Sequence, residues 1–306
     1  MPQNIPTFTP PPPFKALIGA IPQIIVTDIG ASPLDGQEPP YAALLKSGDV
    51  DLIGFEPHPP SFAALNAARG PHETNSPCVI GDGQRHTLKN CRVSGMSSLL
   101  EPNPAVMKLF HLFPYWSKVL SATEVQTRRL DGIPETIGTD FITIDIQGGG
   151  LMALAGATSR LRGVSVTHAE VSFVSLYKGQ PLFSEVEMFL RQHGFMFHRF
   201  FPLNSRTISP FFVDNDVYAG FSQVMQADAI FVRDFARIEL LGDSQLVATA
   251  VILHDCYHSL DATLFVLKEF DRRHGRNLGQ RYIEALQPYF PGHILWAWNG
   301  PQKPPA

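Results

Sequence analysis

The alternation of apolar and polar positions along the chain predicts a protein of the α/β class. Three apolar runs, at residues 23–28, 51–55 and 140–147, have the length and β-branched content of strands that are covered on both faces. Helical patterns follow the first two runs, at residues 40–46 and 61–68. Strands that alternate with helices in this way predict a mostly parallel sheet with helices on both of its faces.

The remaining strands complete this prediction. The short run at residues 77–81 is expected to be the third strand, and later strands are expected at residues 164–174, 195–200 and 229–232. No helix long enough for a parallel crossover separates the last two runs, so they are predicted to pair as an antiparallel hairpin at one edge of the sheet. Residues 85–130 have the character of a hairpin or a loop-rich insertion.

Composition divides the chain into three segments. Residues 1–22 are rich in proline and are expected to be extended or to lie along the surface. Residues 23–233 hold all the predicted strands. Residues 234–306 hold three helical patterns, and this C-terminal helical extension fits a lid, a packing element on the sheet or a contact that holds a homo-oligomer together.

Composition and charge exclude several classes of protein. Hydrophobic residues make up 44% of the chain and charged residues 17%, which is enough apolar material for a sizeable core. The formal net charge of −4 argues against a nucleic-acid-binding face. No apolar run approaches the roughly 20 residues that span a bilayer, and no secretory signal is evident. The three cysteines show no C-x-x-C spacing, which favours a cytoplasmic location.

Small and acidic residues stand where predicted strands end. Residues 28–32 read D-I-G-A-S, a turn in which a ligand can come close to the backbone. Neither the dinucleotide fingerprint nor the phosphate loop is matched, so a nucleoside held without a phosphate cradle is the ligand we expect. Glu56 ends the second strand, where a carboxylate can accept two hydrogen bonds from a ribose. The alternatives are an ordinary tight turn and a surface carboxylate before Pro57.

These strand ends belong to an ordered series of motifs. Between about residues 23 and 200 the chain reads T-D-I-G-A-S, G-F-E-P, V-I-G-D-G, G-M-S-S-L, R-L-D, D-F-I-T-I-D-I-Q-G and E-V-S-F-x-x-L-Y-x-x-Q-P-L-F. The series resembles the FkbM family of class I S-adenosylmethionine-dependent methyltransferases. The resemblance implies a seven-strand, Rossmann-like methyltransferase fold with S-adenosyl-L-methionine as the cofactor. It also implies methyl transfer to a hydroxyl of a sugar, a glycoside or a similar small metabolite.

The resemblance also implies a set of site residues. Asp28, Gly30 and Ala31 would approach the amino-acid part of the cofactor, Glu56 would hold its ribose, and Asp82 would lie near its adenine. The full set implied to bind the cofactor is Asp28, Gly30, Ala31, Ser32, Glu56, Pro57, Asp82, Gly83, Ser97 and Ser98. Ser97 and Ser98 match a small polar site that faces the cofactor or the acceptor.

Candidate catalytic residues follow from the same resemblance. Asp145 would lie beside the reactive methyl group, and it shares the role of candidate general base with Glu170 and His168. For Glu170 and His168 the alternative is a structural role, since buried polar groups are usually hydrogen-bonded. Two histidines four residues apart, His254 and His258, have the spacing of a metal pair, but no third ligand is evident and no metal is predicted.

One motif departs from the family pattern. The family reads K-x-D-x-(E or Q)-G-x-E, whereas this chain has Thr143 in place of the lysine and Gly150 in place of the last glutamate. Each change removes a charge from the expected active site. The chain is therefore open to a second interpretation, as a methyltransferase-fold binding or scaffold protein that has lost catalysis. A nicotinamide oxidoreductase is less favoured, because the second glycine of the dinucleotide fingerprint is missing.

Overall fold

The computed structural model describes residues 8–31 and 38–297, so Ser32 lies outside the described residues. The described chain forms two compact units. The sheet unit consists of residues 25–31 and 51–236, and the helical unit consists of residues 8–24, 38–50 and 237–297. The predicted division into three consecutive segments, with boundaries at residues 22 and 233, stays a prediction.

The strands and helices are as follows in chain order. The strands are β1 (Ile24–Ile29), β2 (Val50–Phe55), β3 (Glu73–Ser76), β4 (Val79–Ile80), β5 (Arg85–Cys91), β6 (Val119–Arg128), β7 (Phe141–Ile144), β8 (Val166–Ser172), β9 (Phe195–Arg206) and β10 (Gln223–Arg233). The α-helices are α1 (Phe14–Ile18), α2 (Ala42–Ser47), α3 (Pro59–Ala68), α4 (Pro104–Met107), α5 (Phe113–Trp116), α6 (Gly150–Ala155), α7 (Phe183–Gln192), α8 (Asp243–Asp255), α9 (Leu260–His274) and α10 (Leu278–Leu286).

Seven strands form the main sheet in the order β3-β2-β1-β7-β8-β10-β9. The pairs β2–β3, β1–β7 and β7–β8 are parallel, and β10 is antiparallel to both β8 and β9. The predicted fold class and the predicted antiparallel hairpin at one edge are confirmed. The strand order reverses between β1 and β7, and in open α/β sheets such a point leaves a crevice at the carboxyl ends of the strands.

Apolar strands explain why this sheet forms. All four residues of β7 are buried, and the apolar positions of β8 and β10 pack with α6 and α7 in one core. The phenylalanines of β9 contribute an aromatic cluster, in which Phe197 and Phe200 contact Phe183 of α7. The prediction that this phenylalanine-rich run is strand core is confirmed, because its alternation matches the two-residue period of a strand.

The prediction that residues 77–81 form the third strand of the main sheet is wrong, although these residues do contain a strand. The third strand of the main sheet is β3, with the sequence E-T-N-S, which pairs in parallel with β2 at the sheet edge. An edge strand with partly exposed polar side chains carries no apolar signal, and this is why the sequence did not indicate it. The run at residues 77–81 instead contributes β4 to a separate three-stranded sheet in the order β4-β6-β5. The hairpin expected within residues 85–130 is formed by β5 and β6.

The helical unit explains the paired histidines. His254 is buried in α8, with Nδ1 2.7 Å from the Tyr282 hydroxyl and Nε2 3.0 Å from the Pro12 carbonyl oxygen. Burial lowers the pKa of His254 to about 4, so the ring is neutral and serves to join the N-terminal segment to the helices. Among the described residues no three or more His, Cys, Asp or Glu side chains are arranged so that they could hold a metal ion. None of the described helices is both long and apolar enough to cross a bilayer.

Candidate active site

A cavity of about 260 Å³ opens in the sheet unit where β1, β2 and β7 end. Its floor is formed by residues that follow these strands, and its opposite wall by the loop at residues 94–99 and by β4. Six of the residues expected at the site line it: Gly30, Glu56, Pro57, Ser97, Ser98 and Asp145. The cavity therefore occupies the point at which the strand order reverses.

Backbone contacts fix the floor of the cavity. The Gly30 N–H donates to the Phe55 carbonyl at 2.9 Å, and the Asp145 N–H donates to the Ile29 carbonyl at 2.9 Å. Gly30 has a φ of +90°, and a Cβ atom at this position would overlap the carbonyl oxygen of Asp145. Only glycine adopts this φ readily and also leaves room for the carbonyl oxygen, so Gly30 allows the ends of β1 and β7 to come into contact.

Glu56 supplies the carboxylate at the end of β2. It is only 5% exposed, and its Oε1 accepts the His58 N–H at 2.6 Å while the side chain lines the cavity. Burial raises the pKa of Glu56, and the His58 hydrogen bond opposes that rise. A carboxylate held in this way presents acceptor atoms to a ligand that carries hydroxyl donors.

Ser97 and Ser98 line the cavity, but their hydroxyls also hold its wall in place. The Ser98 hydroxyl donates to the Gln147 carbonyl at 2.6 Å and accepts the Leu100 N–H at 3.0 Å. The Ser97 hydroxyl accepts the Cys91 N–H at 3.0 Å. These bonds attach the G-M-S-S-L loop both to the chain that follows β7 and to the end of β5.

Four expected cofactor residues lie outside the lining of the cavity. Asp28 accepts a hydrogen bond of 2.6 Å from the Thr143 hydroxyl on the neighbouring strand, and Ala31 is buried beside β2. Asp82 accepts bonds from the Gln84 N–H, His86 and Thr127, which tie it and the adjacent Gly83 to the small sheet. Their roles toward the cofactor stay predictions.

The candidate bases lie together, but one alone reaches the cavity. Asp145 lines the cavity and is open to solvent there, whereas Glu170 lies behind it on β8. The Gln226 amide donates to Glu170 Oε1 at 2.8 Å, and the Gln147 amide donates to Oε2 at 3.2 Å. His168 Nε2 lies 3.5 Å from Asp228 Oδ2. Asp145 is thus the group placed to exchange a proton with a molecule at the cavity.

Close packing of carboxyl groups shifts their pKa values. Although Asp145 reaches solvent at the cavity, the protein packed around it removes part of its hydration and raises its pKa to about 6, and the negative charges of Asp228 and Asp28 add to the rise. Burial, followed by the charges of Asp145 and Asp228, also raises the pKa of Glu170. Neighbouring carboxyl groups of this kind cannot all ionise together. Asp145 therefore titrates close to neutral pH, in the range that a general base requires.

Asp228 and Gln226 are members of this cluster that the sequence did not indicate. Both belong to β10, and Asp228 stands directly opposite Glu170 in the antiparallel pairing with β8. The sequence carries a signal for them, because these two polar residues occupy alternate positions in the interior of a strand whose other interior residues are apolar. Opposed residues of paired strands face the same side of the sheet, which brings these side chains to the cluster.

The family match settles the class of the protein. The family model described as "Methyltransferase FkbM domain" matches residues 28–197, which is more than half of the chain. The chain belongs to the FkbM methyltransferase family. A search among curated proteins finds no match. The predicted enzyme class and cofactor agree with the family, whose members are S-adenosylmethionine-dependent methyltransferases.

Solved structures of methyltransferases resemble this chain only weakly, among them the following two. Magnesium protoporphyrin IX methyltransferase from Synechocystis PCC 6803, with bound SAM, is 10% identical with a TM-score of 0.34, covering 72% of this chain and 75% of that one. A putative methyltransferase from Thermoplasma acidophilum is 9% identical with a TM-score of 0.34, covering 75% and 76%. Likeness at this level carries no argument, so the assignment rests on the family match.

The residues of the cavity fit the cofactor of this family. Gly30 leaves the backbone open to close approach, and Glu56 places a buried carboxylate on the same cavity. The cavity lacks a glycine-rich phosphate loop, which agrees with a nucleoside cofactor that carries no phosphate. A sulfonium is positively charged, and the carboxylates of Glu56 and Asp145 favour such a charge nearby.

Of the two departures from the family pattern, Thr143 has a local explanation and Gly150 has none in the packing. Thr143 occupies the lysine position and forms the 2.6 Å hydrogen bond with Asp28, so that carboxylate keeps a partner. Gly150 begins α6, and a Cβ atom there would make only ordinary contacts, at 3.7 Å from Ile144 and 3.8 Å from the Glu170 carbonyl. A side chain would fit at position 150, so packing does not require the glycine.

Proposed function

We propose that the chain is an O-methyltransferase that acts on a hydroxyl of a sugar, a glycoside or a similar small metabolite. The observation that carries the proposal is the position of Asp145, a carboxylate at the floor of the cavity with a pKa of about 6. At neutral pH this group is mostly ionised and able to accept a proton. A hydroxyl acceptor needs such a base, because it is a weak nucleophile while protonated.

Different residues of the cavity hold different parts of the cofactor. Glu56 accepts hydrogen bonds from the ribose hydroxyls, and Gly30 lets the amino-acid part approach the backbone between β1 and β7. Pro57 and the loop that carries Ser97 and Ser98 form the remaining walls. When bound, S-adenosylmethionine supplies an electrophilic methyl group on a positively charged sulfur.

The chain's own chemistry is the removal of one proton. Asp145 would accept the hydroxyl proton as the acceptor oxygen takes the methyl group that S-adenosylmethionine would supply, S-adenosylhomocysteine being the other product. Glu170, held by the amides of Gln147 and Gln226, shares a hydrogen bond with Asp145 that favours the ionised form of Asp145, which is the form that accepts the proton. General-base catalysis of this kind contributes roughly 10²- to 10⁴-fold, and alignment of the two reactants contributes the rest.

Transfer of a labelled methyl group tests this function. Purified protein is incubated with methyl-labelled S-adenosylmethionine and a panel of sugars and glycosides, and label in the acceptor is measured. We expect Asp145→Asn to lower kcat by roughly 10²- to 10⁴-fold while the affinity for S-adenosylhomocysteine stays within about threefold. Asp261→Asn, which changes an exposed carboxylate of α9, is the matched control and should leave kcat unchanged.

The outcomes separate the two interpretations of the chain. Binding of S-adenosylhomocysteine without transfer to any acceptor would favour the binding or scaffold protein suggested by Thr143 and Gly150. Full activity of Asp145→Asn would remove Asp145 from the role of base. A cytoplasmic location and a homo-oligomer held by residues 234–306 are further parts of the proposal, and size-exclusion chromatography of the purified chain tests the second.

A further inference from the structure

Large apolar side chains are concentrated on one surface of the sheet unit. Two segments about 100 residues apart form this surface, namely residues 104–117 with α4 and α5, and residues 207–222 between β9 and β10. Six side chains of these segments, which we call the apolar patch, are each between 46% and 65% exposed: Leu112, Tyr115, Phe211, Phe212, Tyr218 and Phe221. Soluble proteins rarely expose large apolar side chains in contiguous groups unless the group binds something.

Contacts between the two segments make the patch a preformed surface. The His111 ring stacks on Phe212 with 3.7 Å between centroids, and its Nε2 lies 2.9 Å from the Phe211 carbonyl oxygen. The Trp116 ring stacks on Tyr218 at 5.5 Å. Phe211 and Phe221 contact each other at 5.4 Å. The exposed rings are therefore held in place by neighbouring rings and by backbone atoms.

Leu112 indicates that the patch does not serve the stability of the fold. Its φ is +62°, a conformation that costs an ordinary L-residue about 1–2 kcal/mol and that glycine or asparagine adopts more readily. The side chain is also 46% exposed, so burial returns little of that cost. Stability alone would favour asparagine here, and the leucine therefore points to a role at the surface.

The patch adjoins the chain segment that leads into the wall of the cavity. Ser94 and Gly95 line the cavity, and the preceding Val93 N–H donates to the Trp116 carbonyl at 3.2 Å. The Arg92 guanidinium lies 4.0 Å from the centre of the Tyr115 ring. Because β10 runs antiparallel to β8, residues 207–222 also lie beyond the sheet edge at which β7 and β8 end. The patch and the cavity thus share one edge of the sheet.

The volume of the cavity leaves little space for an acceptor beside the cofactor. Pockets that enclose a drug-sized ligand measure roughly 300–1,000 Å³, and this cavity measures about 260 Å³. A nucleoside cofactor leaves little of that space for a second molecule. The body of an acceptor whose hydroxyl reaches Asp145 would then rest on the adjoining surface, at the end of the sheet where the apolar patch lies.

The charges around the patch favour a small amphiphile over a membrane. Lys108 and Lys118 are exposed beside it, and the guanidinium groups of Arg92 and Arg206 lie 4.0 Å and 5.8 Å from the centres of the Tyr115 and Tyr218 rings. Asp214 and Asp216 are exposed on the second segment. A surface that binds anionic lipid carries a cluster of about four to eight lysines or arginines, whereas these charges are mixed. A neutral molecule with an apolar portion meets no electrostatic penalty here.

We propose that the apolar patch binds an extended apolar portion of the acceptor, such as an acyl or alkyl chain, whose polar end carries the hydroxyl that is methylated at Asp145. The inference rests on the proposed function and narrows its acceptor to an amphiphilic alcohol or glycoside. The hydroxyl is placed at the cavity by the anchored apolar portion, which adds affinity in proportion to the apolar area that it buries.

A series of alkyl β-glucosides tests the proposal. Methyl, butyl, hexyl and octyl glucosides, each below its micelle concentration, are titrated into protein saturated with S-adenosylhomocysteine. We expect each buried methylene to tighten binding about fourfold, from about 0.8 kcal/mol per methylene. The double variant Tyr115→Ser/Phe212→Ser should lose this dependence on chain length, whereas Phe265→Ser, which changes an exposed phenylalanine of α9, should retain it.

A second variant distinguishes a loss of binding from a loss of folding. Leu112→Asn should unfold at the same temperature as the wild type or higher, yet bind octyl glucoside several-fold more weakly. Affinities that do not depend on chain length, with S-adenosylhomocysteine still bound, would overturn the patch proposal and leave the proposed function standing. Failure to bind S-adenosylhomocysteine would instead overturn the proposed function itself.

Two further measurements exclude other occupants. Binding to phosphatidylcholine–phosphatidylserine vesicles that the double variant abolishes would assign the patch to a membrane surface and contradict the proposal. Sedimentation that shows a dimer in the wild type and a monomer in the double variant would assign it to a second copy of the chain, with the same consequence. We expect neither vesicle binding nor a patch-dependent dimer.

Discussion

The cavity and the apolar patch lie at the same edge of one sheet, yet they are built by different means. At the cavity, backbone groups of β1, β2 and β7 contact one another, and a single carbon added at Gly30 would overlap the Asp145 carbonyl. At the patch, side chains from two distant segments contact one another and remain half exposed. The cavity should therefore resist substitution, whereas the patch can change its side chains while the fold persists.

The largest effect is expected where backbone contacts are tightest. Gly30→Ala adds a Cβ atom that overlaps the Asp145 carbonyl, in a conformation that alanine rarely adopts. We expect binding of S-adenosylmethionine to fall by more than tenfold and the free energy of unfolding to fall by about 2 kcal/mol or more. Calorimetric titration and urea denaturation measure the two quantities.

Gly95→Ala is the matched control for this substitution. Gly95 lines the same cavity, but an added Cβ atom there meets nothing within 4 Å. We expect a change in the free energy of unfolding of at most about 0.5 kcal/mol. Equal effects of the two substitutions would show that the backbone contacts at Gly30 constrain the cavity no more than its open wall does, and would remove the contrast with the patch.

A smaller effect is expected from the side chain that recognises the ribose. Glu56→Ala removes the carboxylate that accepts the His58 N–H and faces the cavity. The loss of a charged hydrogen bond should weaken the binding of S-adenosylhomocysteine by about 1–3 kcal/mol, measured by calorimetry. The patch variant Tyr115→Ser/Phe212→Ser serves as the control, because it should bind S-adenosylhomocysteine as the wild type does. Unchanged affinity in Glu56→Ala would refute the assignment to the ribose.

The smallest effect concerns the pH dependence of the reaction. Asp145 acts as a base only when ionised, so below its pKa of about 6 kcat should fall about tenfold for each pH unit. The negative charge of Asp228 contributes to this raised pKa. Asp228→Asn should therefore lower the pKa of Asp145 and move the acid limb of the kcat profile to lower pH. If the acid limb does not move in an Asp228→Asn variant that is active and folded, the charge of Asp228 does not raise the pKa of the base.

Sequence reasoning could predict that several of the expected cofactor residues lie close together, because their signals are local. A buried strand that ends in D-x-G and a strand that ends in Glu56 each carry their own pattern, and the structure brings Gly30, Glu56 and Asp145 to one cavity. The strand pattern also recovered the antiparallel pair of β9 and β10. For these features, the short-range apolar pattern and the residue types at the strand ends lead to the same prediction.

The features that the sequence did not reveal depend on distant pairing. β3 has the polar sequence of an edge strand, and its pairing with β2 decides its position. Asp228 joins the acidic cluster only because β10 pairs with β8 and places it opposite Glu170. The patch requires His111 to meet Phe212 across about 100 residues of chain. A search for periodicity within a short stretch of sequence cannot detect contacts between residues that are this far apart.

The most direct test of the central assignment is calorimetric titration of the purified wild-type chain with S-adenosylmethionine and with S-adenosylhomocysteine. If the cavity at the ends of β1, β2 and β7 is a cofactor site, we expect one molecule to bind per chain with micromolar affinity, about −8 kcal/mol. Absence of heat with both ligands, from protein shown by circular dichroism to be folded, would contradict the assignment of this cavity to the cofactor.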